Sequence, residues 1–115
     1  MMIARRILLA LGLLAPFVME RAVLVETDPA PRTAAVSIKD FAFVPAVLNV
    51  SVGETVTWTN QDDDPHAVVA NDKTFRTRAL DTGEVGSIVF SQPGEYGYYC
   101  SLHPHMTAKI IVTAP

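Results

Sequence analysis

The sequence predicts an all-β domain, an antiparallel sandwich or barrel, and three observations carry that expectation. Apolar and polar residues alternate around Val36 and Ile38, around Leu48, Val50 and Val52, and around Val56 and Trp58. A period of two is the signature of a strand with one face buried. Turn residues punctuate the runs at short intervals, with Gly53-Glu54 after the second and Gln92-Pro93-Gly94 further on. Helical periodicity is almost absent from Thr33 onward, and short strands at close spacing are what a sandwich or barrel is built from.

Taken in order, the chain begins with MMIARRILLALGLLAPFVM, in which Arg5 and Arg6 precede an apolar run from Ile7 to Met19 broken only by Gly12 and Pro16. That is the layout of an export signal, and the run ends at Glu20-Arg21, short of the ~20 residues a membrane-spanning helix needs. Residues 1–32 are therefore expected to be a signal peptide and Pro-rich linker, cleaved somewhere between about Ala15 and Ala34. Residues 33–115 are expected to form one domain, periplasmic or otherwise exported, monomeric and without a membrane span. Its later strand signals are His66 to Ala70, Gly86 to Ser91, Glu95 to Cys100 and Lys109 to Thr113. Pro45 and the Asp62-Asp63-Asp64-Pro65 stretch cannot sit inside central strands. Asn71 to Gly83 reads as loop or irregular edge.

Charge and cysteine usage narrow the function. From Thr33 onward the chain carries nine acids and five bases, a net charge of −4. A mildly acidic domain without a basic stripe is a poor partner for phosphate backbones, so nucleic-acid binding is excluded. The 115-residue chain has one cysteine, Cys100. An exported protein normally pairs its cysteines, so an unpaired thiol asks for deep burial, a metal or nucleophilic chemistry.

The stretch YYCSLHPHM, residues 98–106, supports the metal. Tyr96, Tyr98 and Cys100 alternate on one strand and share an inward face. His103 and Met106 follow at C-x-x-H-x-x-M spacing, close enough for one loop, stiffened by Pro104, to turn all three toward a common point. Thiolate, imidazole and thioether are soft ligands that select copper over hard cations. His66, at the start of an upstream strand-like run, would complete the set if strand ends meet at one pole of the sandwich. Two histidines, a cysteine and a weak axial methionine make the blue-copper arrangement. Nucleophilic use of Cys100 would need a cleft and an orienting third residue that the sequence does not display.

Two blocks carry a resemblance to a known family. The first is FAFVPAVLNVSVGETVTWTNQDDDPHAVVA, with Phe43, Pro45, Leu48, Val50, Gly53, Val56, Trp58, Asn60 and His66 in the family's positions. The second is PGEYGYYCSLHPHM followed by KIIV. In this order they resemble the cupredoxins, the type 1 blue copper proteins, and above all small members such as amicyanin, plastocyanin and pseudoazurin; the two-residue gaps of the ligand loop are amicyanin-like. The resemblance implies a two-sheet Greek-key β-sandwich and one type 1 copper ion cycling between Cu(I) and Cu(II) on His66, Cys100, His103 and Met106. It implies a non-enzymatic shuttle of single electrons between transient protein partners, such as a c-type cytochrome or a dehydrogenase. It also implies a docking patch around His103, Leu102, Pro65 and Pro104. A copper carrier or storage protein with the same ligands is the alternative.

The chain departs from the family pattern at three places. Ala67 follows His66 where several relatives carry an asparagine that ties the two ligand loops together. Ala108 stands where many have glycine. His105 replaces an apolar aromatic, and is expected to face solvent beside His103.

Overall fold

A computed structural model describes residues 32–115, together with residues 12, 16 and 17. The expected signal peptide and its cleavage region lie almost wholly outside the described residues. No helix among those described is long and apolar enough to cross a membrane.

Eight strands follow one another: β1 (Thr33–Lys39), β2 (Ala42–Val44), β3 (Val47–Ser51), β4 (Thr55–Asn60), β5 (Val69–Ala70), β6 (Val85–Val89), β7 (Gly94–Tyr99) and β8 (Thr107–Thr113). The alternation resolves as expected. Val36 and Ile38 of β1, Val56 and Trp58 of β4, Tyr98 of β7 and Ile110 and Val112 of β8 are all buried. Their neighbours in sequence turn outward, because successive side chains of a strand point to opposite faces. Gly53 sits in the β3–β4 turn at φ 89°, a conformation that a side chain with a Cβ rarely adopts. The turn closes with the Glu54 N–H donating to the Ser51 carbonyl at 3.1 Å.

The strands form two four-stranded sheets, ordered β2-β1-β4-β6 and β3-β8-β7-β5. Only β7 and β8, and β1 and β2, are consecutive strands in one sheet; elsewhere the chain crosses from sheet to sheet, the Greek-key pattern. The sequence predicts antiparallel pairing, and here the structure differs. β1 runs parallel to β4 from Thr33↔Thr55 to Ile38↔Asn60, and β3 runs parallel to β8 from Val47↔Lys109 to Ser51↔Thr113. Alternation specifies which face of a strand is buried and says nothing about its neighbour's direction. A chain that visits the opposite sheet before returning can come back in the same sense.

The β1–β2 hairpin turns through Asp40 and Phe41, both left-handed at φ 51° and 57°. Positive φ at both central residues is the two-residue turn that suits the strand twist, but neither residue is the glycine usual there. Asn71 to Gly83 contains no named strand, yet it lies along the His66 to Ala70 segment. Bridges join Val69 to Arg76 and His66 to Leu80, the latter with reciprocal N–H donations of 3.1 and 2.7 Å. This irregular edge buries His66 and Leu80 completely. The β1–β2 turn, the end of β4, the entry to β5 and the β7–β8 loop thus gather at one pole.

Candidate metal centre

Cys100 directly follows β7, on the face already buried by Tyr98, and is itself fully buried. The loop to β8 winds back on itself through short-range hydrogen bonds. The His103 N–H donates to the Cys100 carbonyl (3.2 Å), the Met106 N–H to the His103 carbonyl (2.9 Å) and the Cys100 N–H to the Met106 carbonyl (3.0 Å). Spacing of three between Cys100, His103 and Met106 is what places successive residues of this tight loop on one side. Met106 is buried with Cys100 in the core cluster. His103 is half-buried, and His105 is exposed, as expected from its place on the outside of the loop.

His66 arrives from the other side of the pole. Its Nδ1 lies 3.2 Å from His103 Nδ1 and 3.6 Å from Cys100 Sγ, and His103 Nδ1 lies 3.7 Å from the same sulfur. Two imidazole nitrogens and a sulfur thus converge, and the three ligand atoms all lie within 4.8 Å of one another. Among the described residues the structure brings His66, Cys100 and His103 together, and Met106 is buried in the same core cluster as Cys100. The donor set, two imidazole nitrogens and a cysteine sulfur, fits a borderline-soft transition ion. Three lone-pair atoms held this close are compatible with one another when they share a cation.

The sulfur has a further partner. The Ala67 N–H points at Cys100 Sγ across 3.4 Å, so a backbone donor joins the segment of His66 to that of Cys100. Such donors to a ligating sulfur draw charge from it and tune the metal.

Asp62 belongs to the acidic stretch that cannot sit inside a central strand. Its Oδ1 accepts the Asp40 N–H at 2.7 Å, and its Oδ2 accepts the Phe41 N–H at 2.9 Å and lies 2.8 Å from His66 Nε2. Partial burial works against its ionisation, but the Phe41 and Asp40 N–H groups and the His66 ring outweigh that and hold its carboxyl below the usual aspartate range. Asp63 and Asp64, by contrast, are exposed. Phe41, positioned by this carboxylate, stands edge-on to both imidazoles, 5.3 Å from His66 and 5.0 Å from His103 between centroids. Asn60, fully buried, braces the same loop: its Nδ2 donates to the carbonyls of Asp64 (2.8 Å) and Leu80 (2.9 Å), and its Oδ1 accepts the Asp62 N–H (2.9 Å). The four-residue interval between Asp62 and His66 is a visible signal, but it identifies a contact only once the loop's path is known.

Comparison with known proteins agrees with this geometry. Residues 7–112 match the sequence model of a family described as a cupredoxin-like domain. Amicyanin from Paracoccus versutus is 30% identical over 82 residues, which cover 67% of this chain and 62% of that protein. The chain thus spans less than two thirds of that relative's length. Among solved structures, a purple cupredoxin from Nitrosopumilus maritimus is 33% identical with a TM-score of 0.66, over 70% of this chain and 99% of the other. A Cu-containing nitrite reductase from Thermus scotoductus is 37% identical with a TM-score of 0.67, over 76% of this chain but 23% of the reductase.

Proposed function

The chain belongs to the cupredoxin family, and from that premise we propose that it is an exported carrier of single electrons, working through one type 1 copper ion held by His66, Cys100, His103 and Met106. The observation that carries this reading is the convergence of His66 Nδ1, His103 Nδ1 and Cys100 Sγ at 3.2 to 3.7 Å. When bound, copper supplies a one-electron couple between Cu(I) and Cu(II).

The residues around it would do the rest. Cys100 would provide the thiolate, the two imidazoles the remaining strong ligands and Met106 a weaker thioether ligand. Cys100 and His66 are shut away from water, and Met106 is nearly so at 7% exposure. The three candidate ligands of the β7–β8 loop are tied by its own hydrogen bonds and His66 by its bridge to Leu80, and these ties would limit the movement of the donors when the ion changes charge. His103 alone of the four is half-exposed, and its sequence neighbours Leu102 and Pro104 and the residue before His66, Pro65, are all exposed. These residues are the proposed docking surface for a transient redox partner, in an encounter of the small kind typical of electron transfer. Residues 1–32 are proposed to direct export and 33–115 to form the folded domain. The nitrite reductase is matched over only 23% of its own length, so its catalysis is not carried across.

Visible absorption and EPR spectra of the copper-loaded protein test the reading. An intense thiolate-to-copper band with narrow copper hyperfine splitting, bleaching reversibly on reduction and absent from Cys100→Ser, is the expected result. A pale spectrum that does not cycle, or a band that survives in Cys100→Ser, would refute it.

A further inference from the structure

We infer that Asp62 is a positioning residue of the metal centre: by accepting the Nε2 proton of His66 it aims the Nδ1 lone pair of that ring into the site and favours the oxidised ion. The inference rests on the ligand reading above and extends it to a residue that binds no metal.

The direction of the proton follows from the acceptors. An ionised carboxylate has lone pairs and no proton to give. Asp62 already receives the N–H groups of Asp40 at 2.7 Å and Phe41 at 2.9 Å, so the third contact, to His66 Nε2 at 2.8 Å, is an N–H donated by the imidazole. A neutral ring with its proton on Nε2 has its free lone pair on Nδ1. That is the nitrogen 3.6 Å from Cys100 Sγ and 3.2 Å from His103 Nδ1. The alternative tautomer would set two lone-pair-bearing atoms against each other at 2.8 Å and point a proton at the site.

Asp62 cannot easily turn away. Its N–H is held by Asn60 Oδ1 at 2.9 Å and its carbonyl accepts the Thr82 hydroxyl at 2.6 Å. The pair is also shielded, since the His66 side chain is fully buried and that of Asp62 is 10% exposed. The same carboxylate compensates a local cost. Left-handed conformations are unfavourable at residues other than glycine, and the turn has two, Asp40 and Phe41. Both of their N–H groups end on Asp62. One side chain therefore sets the hairpin turn, the Phe41 ring over the imidazoles and the orientation of His66.

The electrostatic consequence has a definite sign. A histidine ligand that shares its distal proton with a carboxylate is more basic and more electron-donating. It stabilises the more highly charged ion of a redox pair, so its loss should raise the reduction potential. Removal of such outer partners weakens metal binding by about 10–100-fold. If the lower figure falls on the oxidised form alone, the oxidised-to-reduced affinity ratio drops about tenfold, which for one electron is ~59 mV.

Two measurements test this. The first is the tautomer of His66 in the metal-free wild-type protein, read from long-range ¹H–¹⁵N correlations of the neutral ring. A proton on Nε2 is expected, and a proton on Nδ1 would overturn the inference whether or not any variant folds. The second is the potential of the copper-loaded wild type, Asp62→Asn and Asp62→Glu. A rise in potential, corresponding to an about tenfold drop in the oxidised-to-reduced affinity ratio, is expected for Asp62→Asn, with Asp62→Glu closer to wild type. An unchanged potential in a folded, blue Asp62→Asn protein would reduce Asp62 to a turn clamp and defeat the inference. If the wild type itself gives no blue centre, the copper reading fails, and the tautomer of the metal-free protein still decides the orienting role.

Discussion

Replacing Tyr98 with phenylalanine tests how a buried hydroxyl joins the two sheets. Tyr98 in β7 and Trp58 in β4 are both fully buried. Their rings meet edge to face with centroids 5.6 Å apart, and the indole Nε1–H donates to the phenolic oxygen at 3.2 Å. Phenylalanine keeps the ring contacts, including the one to Phe43 at 4.8 Å, but leaves the indole N–H without an acceptor. A buried orphan of this kind costs roughly 1–3 kcal/mol, and each kcal/mol lowers Tm by about 4–8 °C in a domain of this size. The same hydroxyl adds a pH dependence. Burial pushes the Tyr98 phenol up to about 12, against a weaker opposing effect of the Trp58 N–H, whereas in the unfolded chain tyrosine ionises near 10. The folded state thus holds this proton after the unfolded state has lost it. The stability that comes from it is fully present below about pH 10 and falls by about 1.4 kcal/mol per pH unit until the folded group ionises. Urea unfolding of the metal-free wild type and Tyr98→Phe, at neutral pH and through that alkaline window, measures both effects, and the difference cancels other groups that ionise there. The variant should be less stable at neutral pH, with the gap closing as pH rises. Equal stability at neutral pH, or a gap that stays constant into alkali, would refute the reasoning.

Asn60→Asp should destabilise the fold by roughly 3–5 kcal/mol, because an uncompensated buried carboxylate would face the Asp64 and Leu80 carbonyls that Asn60 Nδ2 now serves; an unchanged urea midpoint would contradict it. A Cβ on Gly86 would meet Thr77 Cγ2 at 2.8 Å, so Gly86→Ala should cost about 1–3 kcal/mol through overpacking. Thr77→Ser removes that methyl and keeps the hydroxyl that accepts the Val68 N–H. The double variant should therefore regain most of the loss in thermal melts, and simple additivity would show that the clash is not the cause.

Much of the fold was legible in the chain because a strand's alternation is dictated by its own backbone. Val36 and Ile38, or Val56 and Trp58, must face the same way whatever lies opposite. β2 escaped notice because three residues with one buried side chain, Phe43, are too short to display a period. The run from His66 to Ala70 reads as one strand, yet only Val69–Ala70 pairs in the sheet. The whole run from Ala67 to Ala70 is buried, and an unbroken apolar stretch of that length has no periodicity to reveal where pairing begins. His105 and His103 could be told apart from the even C-x-x-H-x-x-M spacing, since the loop that orients them is local.

Local order, then, was enough to determine the strand faces, the turn at Gly53 and the candidate ligands His66, Cys100, His103 and Met106, because each depends on covalent spacing and on the chemistry of side chains in one or two short segments. Which strands lie side by side, and in which sense, depended on the route of the chain between sheets, and so did the part played by Asp62. Three consecutive aspartates are chemically equivalent as a sequence. Asp62 alone is turned inward, because Asn60 and Thr82 hold its backbone and a hairpin some twenty residues upstream presents two N–H groups to its carboxylate. A carboxylate acquires a role from the donors that surround it, and those donors came together only when the chain had folded.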